Sequence, residues 1–244
     1  MNLAPSEVIL VAVALTIAGC EAAAKHDPTP HEFGLIDQAS MVQSGKSERI
    51  ELTRTVVKDD DLAALGGLVY LRSYLHEFLI DDARSRVTAI GLAHLAGSSH
   101  LNHLRLRGSG CDDAALAEIA RFHELRILNV PRGEFTDVGL ASLASLMQLE
   151  QLRFGSPYVT DAGIKSLHAL PELKRVHLIG APLTDASLAE LATMEQLESL
   201  YVDDIPFSDA AWDELFRTRE KLGRPLHVHI DEAHHDRDPH RHEH

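Results

Sequence analysis

Two sets of side chains in this 244-residue sequence are of the kinds that bind ions. Seven of the sixteen histidines fall between His227 and His244, interleaved with Asp231, Glu232, Asp236, Asp238 and Glu243. Imidazole and carboxylate together ligate Zn, Ni or Cu, which makes His234, His235, His240, His242 and His244 candidate metal ligands. Their spacing matches no fixed motif such as HExxH. The expectation is therefore weak Zn or Ni chelation, with a solvated, pH-responsive tail as the alternative. The second set comprises Arg105, Arg107, Arg153, Arg175, His103 and His177, together with Asn129 and Tyr201. Positions 105, 129, 153, 177 and 201 are 24 residues apart. An arginine fork grips carboxylate, sulfate or phosphate bidentately. Whether these side chains make one site depends on the elements that carry them.

The sequence carries no signature of catalysis. Gly45-Lys46-Ser47 has the ending of a phosphate-binding loop, but Ser40 stands where the earlier glycine is required. No GxSxG elbow occurs, and the two cysteines, Cys20 and Cys111, imply no disulfide framework. A non-enzymatic protein without a resident cofactor is expected. The formal charge of −14 argues against a nucleic-acid partner, since phosphate backbones are held by clustered Lys and Arg.

The elements follow from a repeat. Thr136-Asp137, Thr160-Asp161, Thr184-Asp185 and Ser208-Asp209 recur every 24 residues, which is a solenoid period. Each pair suits the start of a helix, where Asp caps free N–H groups and favours the dipole; capping explains this column better than a calcium ladder. Apolar residues follow at three-residue steps, as in Leu140, Leu143 and Leu146. A short alternating stretch comes next: Leu101-Leu104-Leu106, Leu125-Leu128-Val130, Leu149-Leu152-Phe154, Leu173-Val176-Leu178 and Leu197-Leu200-Val202. Alternation marks a strand and the three-residue step a helix with one buried stripe. Neither element hides its apolar face alone, so the rungs must stack. Cys111, which takes the place of Phe135, Val159, Leu183 and Phe207, is expected to be a buried, inert residue. Upstream, Leu75-Phe78-Ile80 and a degenerate Ile50-Leu52 rung extend the series; downstream, Leu226-Val228-Ile230 ends it. Tyr74 and Phe78 are expected to thicken the core near the first rungs.

VTDAGIKSLHALPELKRVHL, from Val159 to Leu178, resembles the repeats of the leucine-rich-repeat family, in its ribonuclease-inhibitor-like branch. That resemblance implies an α/β solenoid, a horseshoe arc of about eight rungs with a parallel concave sheet and short convex helices. It departs from many family members in the turn after the strand, where Ser109, Gly133, Pro157, Ala181 and Ile205 stand in place of Asn, Cys or Thr. In this architecture Glu51, Leu79, Arg105, Asn129, Arg153, His177, Tyr201 and His227 form a central outward column on the concave face. His103, Ile127, Gln151, Arg175 and Ser199 flank it on one side, and Arg107, Pro131, Gly155, Ile179 and Asp203 on the other. The expected ligand-binding set is His103, Arg105, Arg107, Asn129, Arg153, Arg175, His177 and Tyr201, facing a protein or another anionic macromolecule. The competing expectation is that these arginines pair with nearby acids such as Glu150 or Asp203.

At the N-terminus an apolar run from Val8 to Ala18 ends in Ile17-Ala18-Gly19-Cys20, which resembles the lipobox of bacterial lipoproteins, although no Lys or Arg precedes the run. The resemblance implies cleavage before Cys20 and acylation of it, hence a membrane anchor in the cell envelope. The expected organisation is a signal peptide over 1–19, a lipid-tethered flexible spacer over 20–46, the repeat domain over 47–230 and a disordered histidine-rich tail over 231–244. A monomeric binding scaffold on the envelope is the leading expectation. The alternatives are a cytoplasmic adaptor, similar to the substrate-binding repeats of F-box proteins but without an F-box, and a metal-binding protein acting through the tail.

Overall fold

The computed structural model describes residues 34–53, 55–77, 86–107, 110–231 and 233–234. The expected signal peptide, Cys20, most of the spacer, Phe78, Leu79, Ile80, Ser109 and the tail beyond 234 lie outside the described residues. Helix and strand alternate through α1 (Leu35–Gln43), β1 (Arg49–Thr53), α2 (Asp59–Leu62), β2 (Ser73–Glu77), α3 (Ala89–Ala93), β3 (His103–Leu106), α4 (Asp113–Ile119) and β4 (Ile127–Val130). The series continues with α5 (Asp137–Ser142), β5 (Gln151–Phe154), α6 (Asp161–Ser166), β6 (Arg175–Ile179), α7 (Asp185–Ala192), β7 (Ser199–Asp203), α8 (Asp209–Lys221), β8 (His227–Ile230) and β9 (Ala233–His234). The strands form one sheet in chain order, β1 to β8 parallel and β9 antiparallel to β8. This is a leucine-rich-repeat solenoid. None of the described helices is long and apolar enough to cross a membrane.

The strand leucines and their equivalents are buried from Leu101 to Val202, while the residues between them stay at least partly open in β3, β5, β6 and β7. One interior therefore runs through all the rungs, and Phe135 and Phe154 meet in it with ring centroids 6.0 Å apart. Cys111 is 1% exposed, and burial with the nearby Asp112 pushes its thiol up to about 12, so it serves as core. Tyr74 is fully buried, as expected, and burial raises its hydroxyl pKa.

Register corrects the early rungs. Tyr74 pairs with Leu104 and His76 with Leu106, so Leu71, Tyr74 and His76 take the places expected for Leu75, Phe78 and Ile80. Leu75 instead pairs with Arg105 and Glu51, and occupies the central column position assigned to Leu79. At the other end His229, not His227, is the partner of Tyr201.

The expected boundaries also shift. Residues 35–43, read as spacer, form α1, which buries Gln38, Ala39 and Val42. The Gln38 side chain donates to the Glu51 carbonyl at 2.8 Å and accepts from the Glu51 N–H at 2.7 Å, pairing the edge of β1 as another strand would. Gly45, at φ +70, supplies the left-handed turn that ends α1. Beyond residue 230 the chain turns through Asp231, at φ 48, and lays β9 along the last parallel strand, so the tail does not leave the fold at 231.

The Thr-Asp column works across repeats. Thr136, Thr160, Thr184 and Ser208 are the N-caps, each accepting a hydrogen bond from its own helix. The aspartate expected to cap its own helix instead reaches the next repeat. Asp113 accepts from Thr136 N at 2.7 Å and Thr136 Oγ1 at 2.8 Å, Asp137 does so from Thr160, Asp161 from Thr184 and Asp185 from Ser208. Asp59 holds Thr88 in the same way. At Asp161, burial opposes ionisation, but bonds from Ser187 and Thr184 outweigh it and hold the carboxyl below its usual range. The Ser208 hydroxyl does the same for Asp185.

Each such aspartate needs space in the following helix. A Cβ on Gly139 would lie 2.3 Å from Asp113 Oδ1, and one on Gly163 2.4 Å from Asp137 Oδ1. In the repeat preceded by Ala89, the corresponding residue is Ala115 and no carboxylate is there to collide with it. Gly139→Ala alone is expected to destabilise the fold, and Asp113→Ala to cost about 1–2 kcal/mol in lost bonds to Thr136. The Asp113→Ala/Gly139→Ala pair is expected to be more stable than the sum of the two changes predicts, because the added methyl then has room and favours the helix by about 1 kcal/mol. Urea denaturation of the four proteins of this cycle measures the coupling; additive losses would refute it.

Candidate functional site

The helices cover one face of the sheet and leave the other open. Alternation sends positions 103, 105, 127, 129, 151, 153, 175, 177, 199 and 201 to that open face, and parallel pairing at about 4.8 Å lines them into columns. The register sets Arg105, Asn129, Arg153, His177, Tyr201 and His229 side by side, with His103, Ile127, Gln151, Arg175, Ser199 and His227 beside them. A groove of about 290 Å³ runs along these columns from β3 to β7. His103, Arg105, Asn129, Arg153, Arg175, His177 and Tyr201 all line it; Arg107, just past the end of β3, does not. Ile127 and Gln151, which the candidate set omitted, also line it.

The lining contains three arginines, two histidines and no carboxylate. Of the acids expected to neutralise the arginines, Glu150 accepts from Arg126 and is also held ionised by Lys174 and Arg175, and Asp203 Oδ2 lies 2.6 Å from His177 Nε2. Burial, then Arg105 and Arg49, lower the pKa of His103. Burial also lowers that of His177, against the opposing pull of Asp203 and with help from Arg153. Both effects favour neutral imidazoles in a groove whose fixed charges are cationic.

Polar atoms in the groove await partners. Asn129 is 7% exposed, and its Oδ1 has no hydrogen-bond partner among the described residues; His103 Nε2 is in the same position. A buried unsatisfied acceptor costs on the order of 1–3 kcal/mol. Gln151, with its side-chain oxygen turned toward β6, accepts from Arg175 Nε at 3.2 Å and so aims the guanidinium. At the far end Tyr201 sits between imidazoles, 5.5 Å from His177 and stacked on His229 at 4.8 Å. The arrangement supplies cationic forks, an apolar side chain, Ile127, on its floor, and an acceptor, all held on rigid strands.

No protein-family model matches this sequence, and no curated protein does. Among solved structures, it is similar to an internalin, InlF, from Listeria monocytogenes, at 17% identity and a TM-score of 0.44 over 81% of this chain and 65% of that one. It is also similar to the plant peptide hormone receptor RGFR1, solved in complex with RGF2, at 13% identity and a TM-score of 0.40 over 75% of this chain and 32% of that one. The chain thus spans less than two thirds of either protein.

Proposed function

We propose that this protein is a non-enzymatic binding scaffold whose open sheet face receives an acidic, extended segment of a protein partner. The observation that carries this reading is a groove lined by Arg105, Arg153 and Arg175 without a carboxylate, on a chain of formal charge −14. A peptide suits the groove better than a simple oxyanion, because it brings side-chain carboxylates for the guanidinium forks and backbone N–H donors for Asn129 Oδ1. Rigid strands keep the ordering cost on the receptor side small. Acidic peptides labelled with a fluorophore are expected to bind, and their basic counterparts not to. Charge-assisted arginine bonds contribute about 1.5–3 kcal/mol each, so Arg153→Ala/Arg175→Ala is expected to weaken binding at least tenfold. Binding by the double variant at the parental strength would remove the groove from the account.

The lipobox-like Ile17-Ala18-Gly19-Cys20 supports display of the scaffold from the cell envelope by acylated Cys20. Mass spectrometry of the native N-terminus tests this: a diacylated or triacylated Cys20 supports envelope display, and an intact Met1 in the soluble fraction supports the cytoplasmic adaptor instead.

A further inference from the structure

The groove on the open face runs across the strands, from His103 and Arg105 on β3 to Tyr201 on β7. Along the central column the pairing sets Arg105 beside Asn129 and Asn129 beside Arg153, so the two arginines stand two strands apart with the asparagine midway. At about 4.8 Å per strand their backbones are about 9.6 Å apart. Asn129 is 7% exposed and lines the groove, and its Oδ1 meets no donor among the described residues. An occupant that satisfies this row brings an anion, an N–H and a second anion in line.

Backbone geometry decides which occupant fits. In a β-strand same-side residues recur at every second position, about 6.7 Å apart, and the third residue points the other way. An α-helix spans about 10.5 Å between positions i and i+7, but its backbone N–H groups are bonded internally and cannot serve Asn129. A polyproline II segment has three residues per turn and rises about 3.1 Å per residue, so positions i and i+3 project to one side about 9.3 Å apart. Its N–H groups carry no internal hydrogen bond and remain to donate. The sheet edges are taken: the Gln38 side chain bonds Glu51 on β1, and β9 lies along β8. A segment crossing the open face meets side chains rather than ladder groups, so its backbone gains nothing from strand geometry.

Given that the groove takes an acidic segment, we propose that it selects two acidic residues three positions apart, held in the polyproline II conformation across β3, β4 and β5. Arg105 and Arg153 each grip one carboxylate, and a backbone N–H of the intervening turn donates to Asn129 Oδ1. Ile127, two residues before Asn129 on the same face of β4, gives an apolar spacer side chain a surface to rest on. Arg175 lies off this line, one strand and two residues from Arg153, and adds affinity without setting the spacing.

Fluorophore-labelled, end-capped peptides with two glutamates separated by one, two, three or six uncharged residues, titrated against the full-length chain and followed by anisotropy, test the spacing. The two-residue separation is expected to bind at least roughly fivefold tighter than the others, since a misplaced second carboxylate forfeits a charge-assisted bond. Arg175→Ala is expected to weaken all four peptides and keep that preference. Arg105→Ala and Arg153→Ala are each expected to erase it, with far-ultraviolet dichroism reporting that the fold survives. Equal affinity for all four spacings, tightest binding at another spacing, or a preference that survives Arg153→Ala overturns the proposal and leaves the acidic-segment reading standing. Binding of none of the four overturns both.

Discussion

Arg219→Ala is expected to lower the stability of the C-terminal rungs by about 3–5 kcal/mol, a large effect for a residue whose hydrogen-bond partners among the described residues are backbone carbonyls. Helix α8 buries Trp212, Leu215, Phe216 and Arg219, a stripe at helical spacing whose last member is a cation. Arg219 is 2% exposed. Its guanidinium donates to the carbonyls of Met194 at 2.7 Å, Leu197 at 2.6 Å and Arg224 at 2.8 Å, tying the preceding rung to the segment that leads into β8. In earlier rungs smaller groups do related work: Ser98, Ser145 and Gln196 donate to the carbonyls of Leu68, Ala120 and Leu170. Removing the fork leaves the buried Leu197 carbonyl and the half-buried Arg224 carbonyl short of a donor at about 1–3 kcal/mol each, while the Met194 carbonyl keeps the Leu197 N–H at 3.0 Å; no apolar substitute can delete these acceptors because they belong to the backbone. Arg219→Lys is expected to recover only part of the loss, since one ammonium on a single stem cannot reach three diverging carbonyls. Urea denaturation measures both; a loss under about 1 kcal/mol for Arg219→Ala would show that solvent replaces the fork.

Phe154→Ala is expected to cost about 3–5 kcal/mol, the sum of lost transfer free energy and the cavity left behind. Phe154 is fully buried in the middle of the stack, where it follows Arg153 on β5 and packs against Phe135. The position matters as much as the size. In a solenoid each repeat is held by its neighbours, so a weak central interface separates the stack into two shorter arrays. Unfolding is therefore expected to lose its single transition and show a shallower denaturant slope, where a comparable loss at an end rung would leave one transition. The same change is expected to weaken acidic-peptide binding, because the β5 backbone that positions Arg153 rests on this ring. A single sharp transition of unaltered slope would argue that the remaining apolar contacts suffice.

How far the site was legible before the structure can be judged at individual positions. Arg105, Asn129, Arg153, His177 and Tyr201 fall into one column because the 24-residue period is unbroken there, and counting alone places them together. At β2 counting misleads. From Leu71 to Leu101 the spacing is 30 residues, and the rung holds Tyr74 and His76 where leucines are usual, so Leu75-Phe78-Ile80 looks the better match by hydrophobicity. A strand buries alternate residues whichever phase is chosen, and pairing with Ile50 and Leu104 decides between them. Helix α1 had a readable signal in Leu35, Ala39 and Val42 at helical spacing, masked by the prolines that precede it.

By itself the sequence determined the repeating unit, the interior and the face on which the arginines stand, because these follow from side-chain periodicity within a few neighbouring residues. The tertiary structure alone decided which groups meet across rungs: Asp113 with the next repeat's Thr136, Glu150 with Arg126, Gln38 with the edge of β1, and the backbone of β8 with that of β9. Such contacts join residues from different turns of the solenoid or from its closing ends. They depend on the stacking offset between whole elements, and no local pattern of polar and apolar residues encodes that offset.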